Sequence, residues 1–280
     1  MTYRPTVRGR RLARELRRLR EEQGLTLQEV ADRLDWSRAT VSRLETGQTR
    51  PKPNDIADIL NLYGVPSPGR DALINLAREA GQRGWWTAYA DVFTGSYVAL
   101  EDEASQIRTW DPQLIHGLLQ TEDYARAVIT AGRLLPTPED IERRIDARKA
   151  RQALLDREQA PRVHLIFDES VLRRPIGGHE VMAAQLAALA EAADRPEITL
   201  QVLPFDIREH AGLDGRFTIL SFPDPADPDI AYVEGTMGDV YLESAEAIAS
   251  HGDRFARIAA AALAPEESAH LIAEAARSSP

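Results

Sequence analysis

Residues 25–47 read LTLQEVADRLDWSRATVSRLETG, and two helix starts inside this stretch decide how the first part of the chain folds. Thr26-Leu27-Gln28-Glu29 has the S/T-x-x-E form of a capping box, in which the Thr hydroxyl and the Glu carboxylate satisfy the backbone amides that a helix start leaves open. Leu27, Val30, Ala31 and Leu34 then share one face. Asp35-Trp36 interrupts that pattern, Ser37 is placed to cap a second helix, and Gly47 ends it. In this second helix Val41 and Leu44 point inward, while Arg38, Ala39, Ser42 and Arg43 point out. Upstream, Leu12, Leu16 and Leu19 recur at helical spacing in an Arg-rich segment that stops at Gly24. Downstream, two more apolar faces follow, roughly over 54–63 (Ile56, Ile59, Leu60) and 69–80 (Leu73, Leu76, Ala77). Helices this short do not persist alone in water, so the pattern predicts an all-α bundle of five.

Charge divides the chain in the same place. Residues 1–83 carry 16 Lys and Arg against 11 Asp and Glu, a net +5, whereas the remainder carries 18 against 33, a net −15. A basic head and an acidic body suit a polyanion-binding module joined to an effector domain. With 280 residues and 43% apolar content there is enough chain for two folded domains, expected over 1–83 and 84–280. Gly81-Gln82-Arg83-Gly84 reads as the break between them, and Trp85-Trp86, costly to leave in water, as a dock for the linker. No cysteine is present, which excludes disulfides, thiolate-bound metals and thiol nucleophiles. The basic start lacks the apolar core of a secretory signal and no window reads as a membrane span, so the expectation is a cytoplasmic protein with no membrane contact.

The acidic part changes period. Thr121 is placed to cap a helix carrying Tyr124, Ala125 and Val128, and a longer charged helix is expected over about 138–159. VHLIFD (163–168), ITLQVLPF (198–205), FTILSF (217–222) and IAYVEG (230–235) are apolar, β-branched runs bounded by Pro, Gly and Asp, hence strands. An amphipathic helix over about 180–193 separates the first two, which predicts a parallel β-α-β unit, and the next two form an antiparallel meander. Two Ala-rich helices close the chain. This is a mixed α/β domain.

The constellation Arg20, Gly24, Leu25, Thr26, Ala31, Ser37, Val41, Ser42, Glu45, Gly47 and Arg50-Pro51-Lys52-Pro53, in that order, resembles the helix-turn-helix of the Xre/Cro/phage-repressor family over about 7–80. The resemblance implies that Arg38, Ala39 and Arg43 face base edges in the major groove, where an arginine forks onto guanine and the alanine methyl meets a thymine methyl. With the polar positions around them, Gln28, Ser37, Thr40, Ser42, Arg50 and Lys52, they make the expected DNA-facing set. It also implies an ion pair, Arg20 with Glu45, that orients the second helix. Leu27 departs from the pattern: many relatives have there a Gln that grips a phosphate, a contact left here to Arg50, Lys52 or the amide end of the helix Leu27 opens. The ordered segments HGLLQTEDYARA, KARQALL, FDESVLRRPIGG, QVLPF, HAGLDGRFTILSF and AYVEG resemble, over about 85–280, the C-terminal domain of the actinomycete WhiJ-like, antitoxin-like regulators. His116 stands where proline commonly precedes GLLQT in that group. The resemblance implies a regulator often paired with a small protein encoded nearby and carries over no ligand-binding residues.

Catalytic signatures are thin. Six histidines make no metal-ligand spacing, and no cofactor is expected. His210-Ala211-Gly212-Leu213-Asp214 is similar to the His-x-Lys and distal Asp of phospholipase-D-like domains, but Gly212 replaces the lysine and removes the cation such chemistry needs. Asp168, Glu169 and Glu234, at strand ends, either line a pocket or cap turns. The reading is a DNA-binding transcriptional regulator, not an enzyme, that binds a double-stranded operator as a homodimer. Its C-terminal domain then senses a protein partner or a small-molecule effector. The alternatives are an antitoxin-like protein-binding module with autoregulatory DNA binding and, last, an enzyme fused to a DNA-targeting domain.

Overall fold

The computed structural model describes residues 6–80, 84–93, 96–132, 136–225, 227–235 and 238–278. The expected break at Gly81-Gln82-Arg83 lies outside the described residues, and Gly84 is the first after it. The chain forms two compact units, Met1–Glu103 and Ala104–Pro280.

The first unit opens with five helices: α1 (Val7–Glu22), α2 (Leu27–Leu34), α3 (Arg38–Glu45), α4 (Pro53–Leu62) and α5 (Gly69–Ala80). The capping box that starts α2 is complete, with Glu29 N donating to Thr26 Oγ1 at 3.2 Å and Thr26 N donating to Glu29 Oε2 at 2.8 Å. α2 ends on Asp35 in the left-handed region (φ 56°), which turns the chain sharply into Ser37 at the head of α3. Gly24 and Gly47, at φ 67° and 66°, end α1 and α3 in the same backbone region, which L side chains rarely adopt. The apolar faces of the five helices meet in one core of Leu12, Leu16, Val30, Ala31, Val41, Leu44, Ile56, Ile59, Leu60, Tyr63 and Ala77.

This unit extends past the expected boundary at 83, to a short 3-10 turn (Trp85–Tyr89) and α6 (Tyr97–Glu103). The physical reason is Trp85. Its indole makes edge contacts with Trp86, Tyr89 and Phe93 at 6.2, 6.2 and 5.8 Å, and its N–H donates to Asp102 on α6 at 2.7 Å. Arg8 of α1 reaches Glu103 at 3.7 Å. Residues 84–103 contain Asp91, Glu101, Asp102 and Glu103 and neither Lys nor Arg, so the first unit carries a net +1 and the second −11. The basic character therefore belongs to the helical bundle and not to the whole unit.

The second unit is a mixed α/β domain on a six-stranded sheet ordered β3-β2-β1-β4-β5-β6. In chain order it contains β1 (Gln106–Asp111), α7 (Glu122–Ala131), α8 (Pro138–Gln152), β2 (Arg162–Asp168), α9 (Ser170–Arg173), α10 (His179–Ala192) and β3 (Ile198–Leu203). Then come β4 (Phe217–Ser221), β5 (Ile230–Val233), β6 (Val240–Leu242), α11 (Ala245–Ala261) and α12 (Pro265–Ser278). β2-α10-β3 is the parallel unit read from the sequence, and β4-β5 the antiparallel meander. The central strand, β1, is an addition: it pairs parallel with β2 and antiparallel with β4 and so joins the two motifs. α11 lays Phe255 and Ile258 on Trp110, Ile166, Leu203, Phe217 and Ile219. α12 packs on α10 and β3, and its buried Ser268 Oγ accepts from Val202 N at 3.0 Å. Strands covered this way are buried along their length.

Candidate nucleic-acid interface

α3 is held from beneath. Val41 and Leu44 are buried in the bundle core, and Arg20 of α1 locks the helix end. Arg20 Nε donates to Glu45 Oε1 and Oε2 at 2.8 and 3.0 Å, Nη2 donates to Oε2 at 2.9 Å, and Nη1 donates to the Leu25 carbonyl at 2.7 Å. Only 11% of the Arg20 side chain and 4% of the Glu45 side chain is exposed, so this is a bidentate, buried pair and not a solvated one. The hydrogen bonds to Glu45 hold the guanidinium pKa up, and burial pushes the adjacent Tyr63 phenol up.

Ser37 caps α3, accepting from Thr40 N at 3.1 Å, with the two hydroxyls 2.8 Å apart. Arg38, Ala39 and Arg43 are exposed, and Thr40 and Ser42 half-buried. Arg50 and Lys52, in the turn before α4, are exposed as well. Gln28 lies exposed on α2 and donates to Asp32 Oδ1 at 2.7 Å, while Leu27 is partly buried against the core, where it cannot replace a phosphate-gripping Gln. α1 differs in its charge balance. Arg17 pairs with Glu21, Arg18 with Glu15 and Glu22, and Arg8 with Glu79, so carboxylates of the same unit neutralise much of its arginine surface. By contrast, Arg38, Arg43, Arg50 and Lys52 form no ion pair among the described residues. Uncompensated positive charge lies on α3 and the turn that follows, as it does at Arg33 of α2 and at Arg70 and Arg78 of α5.

In the second unit the carboxylates at the strand ends serve the fold. Asp168 Oδ1 accepts from Ser170 N at 2.9 Å, and Glu169 accepts from Phe205 N at 3.0 Å and from Arg173. Glu234 accepts from Arg216 at 2.9 Å. His210 packs edge-on to Trp110 and accepts from Gly212 N at 3.2 Å, while Asp214 pairs with Arg254 at 2.5 Å. Nothing brings that His and Asp to a common reacting centre. No group of three or more His, Cys, Asp or Glu suited to a metal occurs among the described residues.

The residues that sequence reasoning passed over gather beyond the end of β1. Asp111 and His116 are 2% and 1% exposed, with Arg216 paired to Asp111 Oδ1. Arg148 and Arg151 of α8 approach from above Gly117: a methyl group there would sit 3.1 and 3.0 Å from their Nη1 atoms. The GLLQT run is the shelf that carries His116. The backbone around it is clamped by side-chain amides, Gln120 Nε2 to the Ile115 carbonyl at 2.7 Å, the half-buried Gln152 Nε2 to the Gly117 and Gln120 carbonyls at 3.0 and 2.7 Å, and Gln185 Nε2 to the Leu119 carbonyl at 2.8 Å. Burial, reinforced by the charges of Arg151, Arg216 and Arg148, drives the His116 pKa well down, and burial raises that of Asp111 against the pull of Arg216.

A bundle that displays a capped, unneutralised second helix defines the class: the first unit is a helix-turn-helix DNA-binding domain, and residues 11–73 match the family model described as a helix-turn-helix domain. Residues 94–274, well over half of the chain, match the model of a domain of unknown function, DUF5753. The chain belongs to the DUF5753 family, as a DNA-binding regulator with a helix-turn-helix head. No curated protein matches the chain, and no solved structure does. No helix among the described residues is long and apolar enough to cross a membrane.

Proposed function

We propose that the chain is a sequence-specific transcriptional regulator of the Xre type, in the WhiJ-like, antitoxin-like group. It binds an operator in the cytoplasm as a homodimer and senses a partner protein or small molecule through its C-terminal domain. The observation that carries the DNA assignment is the charge contrast between α1, neutralised within its own unit, and the unpaired cations of α3 and the following turn. Arg38, Ala39 and Arg43 take the base edges, with Gln28, Ser37, Thr40 and Ser42 flanking them, and Arg50 and Lys52 take phosphates. One eight-residue recognition helix reads too few base pairs to find a genomic site, and a two-fold dimer doubles the readout on half-sites about one helical turn apart. The chain is not an enzyme in this reading: the strand-end carboxylates Asp168, Glu169 and Glu234 are engaged in turns and ion pairs, and Asp214 is paired with Arg254 rather than with His210. Genome-wide footprinting followed by sedimentation on the recovered operator tests it: a palindromic site bound by two copies supports the reading, and a monomer at micromolar concentration, free and on DNA, opposes it.

A further inference from the structure

The two edges of the six-stranded sheet are finished differently. At β3 the outer edge is plugged: Leu263 N donates to the Val202 carbonyl at 2.9 Å and Val202 N donates to Ser268 Oγ at 3.0 Å, so an added strand could pair there only by displacing the start of α12. At the opposite edge β6 pairs with β5 on one side and has no strand on the other. A strand in that position presents backbone N–H and C=O groups outward, a template for a further strand. Val240 is 49% exposed, and Tyr241 and Leu242 are half-buried. The register of Val240 on Val233 and of Leu242 on Ala231 puts both on the α11 face of the sheet, while Tyr241 lies on the other face with Tyr232. The alternation of the strand carries Asp239 and Glu243 to the side of Tyr241. The ground around this edge is acidic. Residues 217–253 contain eight Asp and Glu and neither Lys nor Arg. Asp229 and Glu234 are paired with Arg108 and Arg216, and with both arginines counted in full the stretch keeps −6. Asp239 accepts from the Tyr232 phenol and forms no ion pair among the described residues.

We propose that β6 is a docking edge for an extended segment of a basic partner protein, which adds to the sheet a strand reading Lys or Arg, apolar, aromatic or Thr, apolar, Lys or Arg. The two apolar side chains lie beside Val240 and Leu242, the central one beside Tyr241, and the cations beside Asp239 and Glu243. Other occupants fit less well. A second copy sets acid against acid in either direction, Asp239 against Glu243 when antiparallel and Asp239 against Asp239 when parallel, and like charges directly opposite are destabilising. The helical head of this chain has no strand to offer among its described residues. A duplex is repelled by the carboxylates. Because β6 has three residues, backbone pairing supplies few hydrogen bonds, and charge complementarity adds attraction that salt weakens.

The proposal rests on the reading that the C-terminal domain senses a partner protein, and the experiment separates the two. The probe is a fluorescein-labelled cyclic hairpin peptide whose open edge reads Lys-Val-Tyr-Val-Lys, titrated with full-length protein by anisotropy. It is expected to bind with a Kd below about 1 mM, about tenfold or more tighter than the same hairpin reading Glu-Val-Tyr-Val-Glu, and more weakly as salt rises. Methylating the outward amides of the Lys hairpin keeps its charge, removes its donors and should cost about tenfold or more. Val240→Lys, at an exposed side chain, should weaken binding by about as much, and Asp239→Lys should reverse the preference between the two hairpins. Where Asp239→Lys does not fold, Val240→Lys decides. No binding of the Lys hairpin, equal binding of its methylated form, or parental affinity in Val240→Lys overturns the docking edge. Self-association of the full chain that Val240→Lys abolishes assigns the edge to a second copy and overturns the proposal as well. Operator affinity is then measured with and without saturating Lys hairpin: a change supports partner sensing, and binding without a change leaves the edge standing while removing the reading that its occupancy controls the head.

Discussion

Arg38 and Arg43 lie five residues apart, about 140° around the α3 axis, so both edges of the exposed arc end in a guanidinium with Ala39 and Ser42 between them. Each edge therefore addresses a different base pair. Arg38→Ala and Arg43→Ala are each expected to cost about 1–3 kcal/mol of operator affinity and to relax preference at one position, read by competition against a degenerate operator library. Lys52→Ala should weaken all sequences alike and lower the slope of log K against log salt by about 1. Unchanged preference in both arginine variants would sink the base-reading assignment. Glu45 belongs to a different problem, because its loss leaves the buried Arg20 with the Leu25 carbonyl and a longer, 3.5 Å contact to the exposed Glu21. Glu45→Ala is expected to destabilise the bundle by about 3 kcal/mol, measured by urea unfolding of the first unit. The helix caps beside them were legible in the sequence because a helix brings its own neighbours together, whereas the Arg20–Glu45 pair, 25 residues apart, was expected only from the family resemblance. Ser37 with Thr40 and Thr26 with Glu29 are each three residues apart, and so the caps follow from spacing alone.

Among elements, β1 shows where that legibility stops. QIRTWD has neither a clean alternation nor a continuous apolar run, since Arg108 and Asp111 interrupt it. The groups that make it viable as a central strand come from far away in sequence: Asp229 pairs with Arg108 at 3.1 Å, Phe255 lies beneath the same guanidinium, and Arg216 pairs with Asp111. No local rule predicts a strand whose charges are satisfied by partners more than a hundred residues on. The cluster around His116 was hidden for the same reason, as β1, the GLLQT shelf, α8 and Arg216, just before β4, all contribute to it. It also has a consequence for stability. His116 is neutral in the fold, its pKa held well below the ordinary 6.5, so below that pH the unfolded chain takes up a proton that the folded one refuses. Stability conferred by the neutral ring is complete above 6.5 and declines as pH falls. His164, lowered by burial, acts in the same sense, whereas Asp111, raised by burial, loses stability in the other direction as pH climbs out of the carboxylate range. Hydrogen exchange of the β1 amides in wild type and His116→Gln isolates the first contribution. Between pH 6.5 and 5 the wild type should lose protection more steeply, by up to about 1.4 kcal/mol per pH unit, and parallel slopes would rule it out.

For the whole molecule the relevant quantity is the charge tethered to the reading head. The structural division places −11 in the second unit and +1 in the first, where α6 and the segment before it add acid to an otherwise basic bundle. A duplex repels the tethered unit, so operator binding by the full chain contains an unfavourable, salt-screened contribution that the head alone lacks. The head has its own core and caps, which makes a 1–103 fragment, held dimeric through an unrelated coiled coil, a fair comparison. The fragment is expected to bind the operator more tightly than the full chain at low salt. The gap should close as the Debye length falls to about 8 Å near 0.15 M salt and below that at higher salt. Any effector that binds the second unit would shift operator affinity only by the difference in its own affinity for DNA-competent and DNA-incompetent arrangements of the chain, so it is expected to act on the full chain and not on the fragment. Equal affinities across the salt series, together with equal effector responses in the two proteins, would mean that the acidic unit serves solubility alone and that control of the head lies elsewhere.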